Sequence, residues 1–132
     1  MTRRYDRDQI LAGLILDVAE CLQIEPDEVV VDGSFFGDLG GESIEILDLT
    51  FRIRKRFGIS IRQEDLMEGW DRNEDGQLTA EAIVRLHERL PGIDWTSRLG
   101  DRPIIDPRDM LTIDVIAEVV YMSQSDPSSC GR

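Results

Sequence analysis

Phe35-Phe36-Gly37-Asp38-Leu39-Gly40-Gly41-Glu42-Ser43-Ile44-Glu45-Ile46-Leu47 changes character at a single serine. Glycines and acids precede Ser43, and apolar residues at helical spacing follow it. Serine is a favoured N-cap, because its oxygen satisfies a first-turn N–H that the helix leaves without a partner. Glu45 in the first turn suits the positive end of the helix dipole. Ile46, Leu49, Ile53 and Phe57 then recur at intervals of three and four, with Leu47 alongside, so one face is built for a core. Gly58 stops the helix as a C-terminal cap would. Arg52, Arg54, Lys55 and Arg56 occupy its last turns, where positive charge is favourable. The pattern predicts a helix that starts at Ser43 and is capped by it.

Upstream, Asp8 to Leu22 places Ile10, Leu11, Leu14, Ile15, Val18 and Leu22 on one helical stripe, and Pro26 is expected to end that element. Glu25 to Glu42 reads as a long ordered loop in which Val29, Val30, Val31, Phe35, Phe36 and Leu39 can tuck inward; four glycines argue against a strand. Downstream, Ile59 to Ile61 is extended. A further helix is predicted from Thr79, its N-cap, to Leu90, with Ala82, Ile83, Leu86 and Leu90 on one face and Pro91-Gly92 ending it. A last helix runs from Thr112 to about Met122, with Ile113, Ile116, Ala117 and Val120 inward. Residues 123–132, rich in Ser, Pro and Gly, read as a disordered tail. No segment reads convincingly as a strand, so the expected class is all-α, a bundle built as one domain over residues 1–132.

Composition narrows the function. The 132 residues are 41% hydrophobic and 32% charged, which fits a globular chain rather than a disordered one. Acids outnumber bases 27 to 15, and a formal net charge of −12 excludes wholesale phosphate binding, so nucleic acid is not an expected partner. One histidine and two cysteines, Cys21 and Cys130, give neither a zinc site nor a disulfide framework. Ile10 to Leu16, interrupted by Gly13, is far short of a membrane span, and no apolar leader follows Met1, so a monomeric, cytoplasmic protein is expected. Between Glu25 and Asp48 stand eight acids and no Lys or Arg, a surface suited to steering basic partner proteins. A nucleophilic serine hydrolase is a poor rival: Glu45 stands where the second glycine of Gly-x-Ser-x-Gly would be, and His87, the sole candidate base, falls on a solvated helix face. No catalysis by the chain itself is expected.

The Phe35–Leu47 stretch resembles the attachment motif of acyl carrier proteins, which reads roughly Asp-Leu-Gly-x-Asp-Ser-Leu at the start of their second helix. The Pro26-Asp27-Glu28-Val29 turn, Phe35, the Leu49–Ile61 apolar positions and Leu111-Thr112-Ile113-Asp114-Val115-Ile116 fall where that family has its flanking elements, over about residues 8–61 and 109–122. The resemblance implies a four-helix carrier bundle whose Ser43 bears covalent 4′-phosphopantetheine, and hence a phosphoprotein whose thiol holds acyl groups as thioesters. Helix-start N–H groups favour a nearby phosphate, which agrees with the position. Gly40 and Gly41 are expected to keep side chains away from the hydroxyl. Asp38, Leu39, Gly40, Glu42, Ile44, Glu45 and Asp48 are the expected partner-recognition residues. The implied partners are a phosphopantetheinyl transferase and acyl-transferring, condensing or acyl-activating enzymes with basic docking patches. Ile44 and Glu42 depart from the family's commoner Leu and Asp, and the basic end of the second helix departs from its usual acidity. These departures suggest a dedicated partner set within fatty-acid, lipid or polyketide metabolism. A peptidyl or aminoacyl carrier uses the same attachment logic and is the alternative.

Carriers of this type pass through a short third helix directly to the last. Here residues 62–110 read as a helical insertion after the second helix, containing both tryptophans, Trp70 and Trp95, as candidates to contact an acyl chain or a partner. Within it, Asp71-Arg72-Asn73-Glu74-Asp75-Gly76-Gln77-Leu78-Thr79 resembles the first nine positions of an EF-hand loop, with oxygen ligands at 1, 3 and 5 and glycine at 6. Position 12 is Ala82, and Glu81, one residue early, is displaced by about 100° around the helix. An Asx-rich turn leading into the Thr79 helix is the favoured reading, with no metal site; a calcium-dependent interaction module is the alternative.

Overall fold

The computed structural model describes residues 5–67, 74, 79–95 and 111–124. Among them are five helices: α1 (Arg7–Leu22), α2 (Ser43–Phe57), α3 (Gln63–Met67), α4 (Ala80–Arg89) and α5 (Ile113–Met122). No strand occurs among the described residues; an isolated antiparallel bridge joins Ser34 to Thr112. The chain is therefore all-α, as its periodicity predicts. The EF-hand-like loop, Glu74 and Thr79 apart, lies outside the described residues, as do Trp70 and residues 125–132.

Asp6 caps α1: its carboxylate accepts from the Gln9 N–H at 2.8 Å, while the Gln9 side-chain oxygen accepts from the Asp6 N–H at 2.9 Å. The helix does not run on to Pro26. It closes at Gln23, whose φ of 59° is left-handed, and the Ile24 N–H then donates back to the Ala19 carbonyl at 2.9 Å. Pro26 instead opens a short 3-10 turn, Pro26–Glu28, where its fixed φ is an advantage.

α1 and α2 run antiparallel. Arg56 donates to both oxygens of the buried Asp17 at 3.0 Å, Arg52 pairs with Glu20 at 3.2 Å, and the Cys21 thiol meets the Glu45 carbonyl. Between them Ile10, Leu14 and Val18 meet Ile46, Leu49 and Ile53, the residues that helical spacing nominates, all fully buried. Gly58 caps α2 at φ 72°. The loop expectation holds only in part: Val29 and Phe35 are buried, Phe36 and Leu39 pack partly against the core, but Val30 and Val31 are exposed. A turn in which the Gly33 N–H donates to the Val30 carbonyl reverses the chain there and leaves those two valines on its outside.

α5 runs antiparallel to α1 and is buried around most of its circumference. Ile113, Val115, Ile116, Ala117, Val119 and Val120 are all covered, and so is Glu118, at 4% exposure. Arg7 of α1 grips that carboxylate through Nε at 2.8 Å and Nη2 at 2.9 Å, and the Gly92 N–H donates to it at 2.8 Å. Arg7 also lies over the Tyr121 ring, 4.2 Å from its centroid. Ser123 and Gln124, which composition assigns to the tail, are held: the Ser123 N–H donates to the Val119 carbonyl and Gln124 Nε2 to the Tyr5 carbonyl.

The second face of α5 needs a cover, and α4 with the turn after it supplies one. Thr79 caps α4 as expected, its hydroxyl accepting from the Ala82 N–H at 3.1 Å. Ala82, Leu86 and Leu90 are buried in the same core as α1, α2 and α5. Each leucine contributes about 2 kcal/mol of burial. Trp95 is not on the surface a partner would meet. It is fully buried, and its indole N–H donates to the Leu90 carbonyl at 3.0 Å.

Candidate functional site

The loop before α2 is built by short local bonds. The Asp38 carboxylate accepts from the Ser34 N–H at 2.8 Å, and the Ser34 hydroxyl accepts from the Gly37 N–H at 2.9 Å. The Asp38 and Leu39 N–H groups return to the Ser34 carbonyl, and the Gly41 N–H to that of Phe35. The loop is anchored to the start of α5: the Phe35 N–H donates to the Leu111 carbonyl at 2.9 Å and the Asp114 N–H to that of Val31 at 2.9 Å. The Phe35 ring, edge-to-face with Phe36 at 5.5 Å, is the buried bolt of this arrangement.

Each of the two glycines before Glu42 also has a structural reason. A Cβ on Gly41 would lie 2.3 Å from Phe35 Cε2, so only glycine lets the ring seat. Gly40 has open space around it but holds φ at +73°. Gly41→Ala is expected to cost about 1–3 kcal/mol, as overpacking does, and Gly40→Ala about 1 kcal/mol from the left-handed backbone alone. Urea unfolding of the two variants measures the difference.

α2 starts at Ser43, but its cap is the preceding residue. Glu42 is the N-cap in extended backbone, and its N–H donates to the Glu45 carboxylate at 2.8 Å. A cap must hold non-helical φ and ψ, and Ser43 already has helical ones. Its side chain is therefore not spent on capping. Ser43 is exposed, and among the described residues its hydroxyl makes no hydrogen bond. The hydroxyl thus stands in solvent on the first turn, where N–H groups and the helix dipole favour a negative group.

Most of the residues expected around it reach the surface. Asp38, Gly40, Glu42, Ile44 and Asp48 are exposed, with Leu39 and Glu45 partly so. Not all are uncommitted: Asp38 and Glu45 serve the loop and the cap. Asp48 accepts from Arg52 Nε at 2.9 Å, and that hydrogen bond holds its carboxyl below the usual range. Two further residues, Leu47 and Phe51, belong to the same exposed surface. Ile44, Leu47 and Phe51 form an exposed apolar stripe, at 72%, 46% and 62% exposure. Their own three- and four-residue spacing is a second periodicity, laid out of phase with the core face.

Cys21 lies beneath this turn, its thiol 3.3 Å from the Glu45 carbonyl. Burial, then the neighbouring Asp48 and Glu45, push the thiol up to about 12, against a weaker opposing effect of Arg52. It stays protonated at pH 8 and is expected to alkylate far more slowly in the folded chain than in urea, measured by iodoacetamide labelling at Cys21. Among the described residues no group of His, Cys, Asp and Glu could hold a metal ion, and no helix is long and apolar enough to cross a membrane.

Comparison with known proteins gives this geometry a context. The family described as "Phosphopantetheine attachment site" matches residues 12–71, from α1 past α3. An acyl carrier protein of Petrotoga mobilis is 33% identical over 60 residues, 46% of this chain and 71% of that one. One from Treponema pallidum is 34% identical over 61 residues, 46% of this chain and 78% of its own. A meromycolate extension acyl carrier protein of Mycolicibacterium smegmatis is 33% identical over 60 residues, 46% of this chain and 61% of its own. No solved structure matches. A helical bundle, an attachment-site match that spans the turn into α2, and relatives largely covered by this chain lead to one statement: the chain belongs to the acyl carrier protein family, its role is carriage, and its cofactor is covalently attached 4′-phosphopantetheine.

Proposed function

We propose that Ser43 is the attachment residue and that the chain is a discrete acyl carrier, not an enzyme, serving a specialised fatty-acid, lipid or polyketide pathway. The observation that carries this reading is the Ser43 hydroxyl, exposed and without a hydrogen bond at the first helical position while Glu42 takes the cap. The residues fit the group: the oxygen is open to a modifying enzyme, and the α2 start favours the phosphate charge. The group supplies a thiol on a long arm that carries acyl chains as thioesters. The protein's own part is to hold the attachment point rigidly, through the Phe35 bolt and the bonds to α5, and to present a recognisable surface around it.

Asp38, Leu39, Gly40, Glu42, Ile44, Glu45 and Asp48 form that surface in our reading, facing the basic patches of a transferase and of acyl-handling enzymes. We also read residues 62–110 as containing the extra segment. The five-residue α3 takes the place of the short third helix, which puts the additional chain after Met67, with α4 closing over α5. Its residues line both a pocket of about 140 Å³ beside Arg7, Leu11 and Ala117 and a groove of about 470 Å³ beside Val119 and Met122. That lining supports a part in shaping cargo or partner choice. Incubation with coenzyme A and a broad-specificity phosphopantetheinyl transferase, followed by intact and peptide mass, tests the assignment. One added group on the Ser43 peptide is expected, and modification elsewhere, or none, overturns it.

A further inference from the structure

The exposed face of α2 carries two signs of charge around its apolar stripe. Successive helical residues turn by about 100°, so Ile44, Leu47, Asp48, Phe51, Arg54 and Lys55 share about 120° of arc. All six are exposed. Toward Ser43 the stripe is flanked by Asp48 and by the acids of the preceding loop. Beyond Phe51 it runs into Arg54 and Lys55. The other two cations of the helix are paired, Arg52 with the surface carboxylates of Asp48 and Glu20, and Arg56 with the buried Asp17. Arg54 and Lys55 form no ion pair with any described residue.

Arg54 lies about 9 Å along the helix, at 1.5 Å per residue, from Asp48, the nearest acid of the stripe and one already paired with Arg52. That separation exceeds the Debye length of about 8 Å at physiological ionic strength, so the acidic end does not mask the basic one. A partner therefore meets two patches, although the whole chain is strongly negative. A uniformly basic docking surface along the whole helix would face like charge at Arg54 and Lys55, a repulsion that suppresses wrong partners.

We propose that the acyl-handling enzymes served by this chain dock on α2 with a two-signed surface: basic groups toward Ser43, an apolar socket for Phe51, and carboxylates facing Arg54 and Lys55. The proposal rests on the carrier reading and specifies the partner that reading requires. Charge complementarity selects an acid-bearing enzyme. A second copy of this chain, offering its own acidic loop, is the rival occupant.

The test uses the holo protein and every purified acyl-activating, acyl-transferring and condensing enzyme of the source genome, ranked by kcat/KM. For the highest-ranked enzyme, Arg54→Glu with Lys55→Glu is expected to lower kcat/KM about tenfold or more through KM, a loss that shrinks as salt rises. Phe51→Ala should lower it in a manner that salt does not erase. Because two glutamates also oppose the helix dipole, Arg54→Gln with Lys55→Gln serves as companion. A smaller loss of the same direction is expected, with an unchanged circular dichroism spectrum. Unchanged or improved kcat/KM in the charge-reversed chain overturns the proposal. So does self-association in sedimentation that the reversal abolishes. A charge-reversed chain must still accept phosphopantetheine as the wild type does; failure of the wild type to accept it overturns the carrier reading instead, and the proposal with it.

Discussion

Ser43→Ala is expected to emerge from incubation with coenzyme A and a phosphopantetheinyl transferase at its unmodified mass, while the wild type gains one group. The loss is complete rather than partial, because no neighbouring hydroxyl can stand in. Ser34 is buried and its oxygen accepts from the Gly37 N–H, and Thr50 Oγ1 donates to the Leu47 carbonyl at 2.6 Å. The variant should fold as the wild type does. Ser43 neither caps α2 nor touches the core, and exposed substitutions of that kind change stability by about 0.5 kcal/mol or less. Modification and stability are thereby separated in one variant. Ser43→Thr keeps a hydroxyl but adds a methyl that stiffens χ1, so it should be modified slowly rather than not at all. A Ser43→Ala chain that still gains the group sinks the assignment.

The second large effect is on stability and is asymmetric. Arg7→Ala is expected to cost about 3 kcal/mol, since it leaves the buried Glu118 carboxylate, among the described residues, with the Gly92 N–H alone for a partner. Glu118→Met should cost less, because the remaining Arg7 is 51% exposed and can return to water. The double variant, Arg7→Ala with Glu118→Met, should regain most of the single loss, and urea unfolding of the three chains measures the cycle. The pH dependence has a definite sign. The Arg7 hydrogen bond, and then that of Gly92, hold the Glu118 carboxyl below its ordinary value despite burial. Its contribution is therefore fully present above the ordinary glutamate range near pH 4.5 and is lost as pH falls through the lowered folded value. Glu118→Met should remove that acid-side loss; an identical acid profile would refute the role given to the pair.

Glu118 also marks the boundary of what a linear reading yields. The apolar positions of α1, α2 and α5 are legible because burial on one helix face leaves a 3.6-residue rhythm. Thr79 and Gly58 are legible because cap chemistry is local, and the Phe35–Leu47 motif carries the family and its cofactor without coordinates. Glu118 obeys the rhythm, a charged residue on a face that spacing assigns to solvent, and yet it is buried. Its partners stand 111 residues before it and 26 before it in the chain, and no local pattern encodes them. The same limit hides the fate of Trp95, which is fully buried with its indole N–H on the Leu90 carbonyl.

At the site the division is finer. The chain's own order of residues, acidic loop, glycines, serine, then alternating core and outward apolar positions, is sufficient for the helix start, the carrier family and the attachment chemistry. Only the folded arrangement decides that Glu42, not Ser43, takes the cap, that Gly41 makes room for the Phe35 ring, and that Arg54 and Lys55 pair with no described residue while Arg52 and Arg56 do. Periodicity and caps are properties of neighbours along the backbone. Which polar group is consumed and which is left for a partner depends on residues brought together from distant parts of the chain.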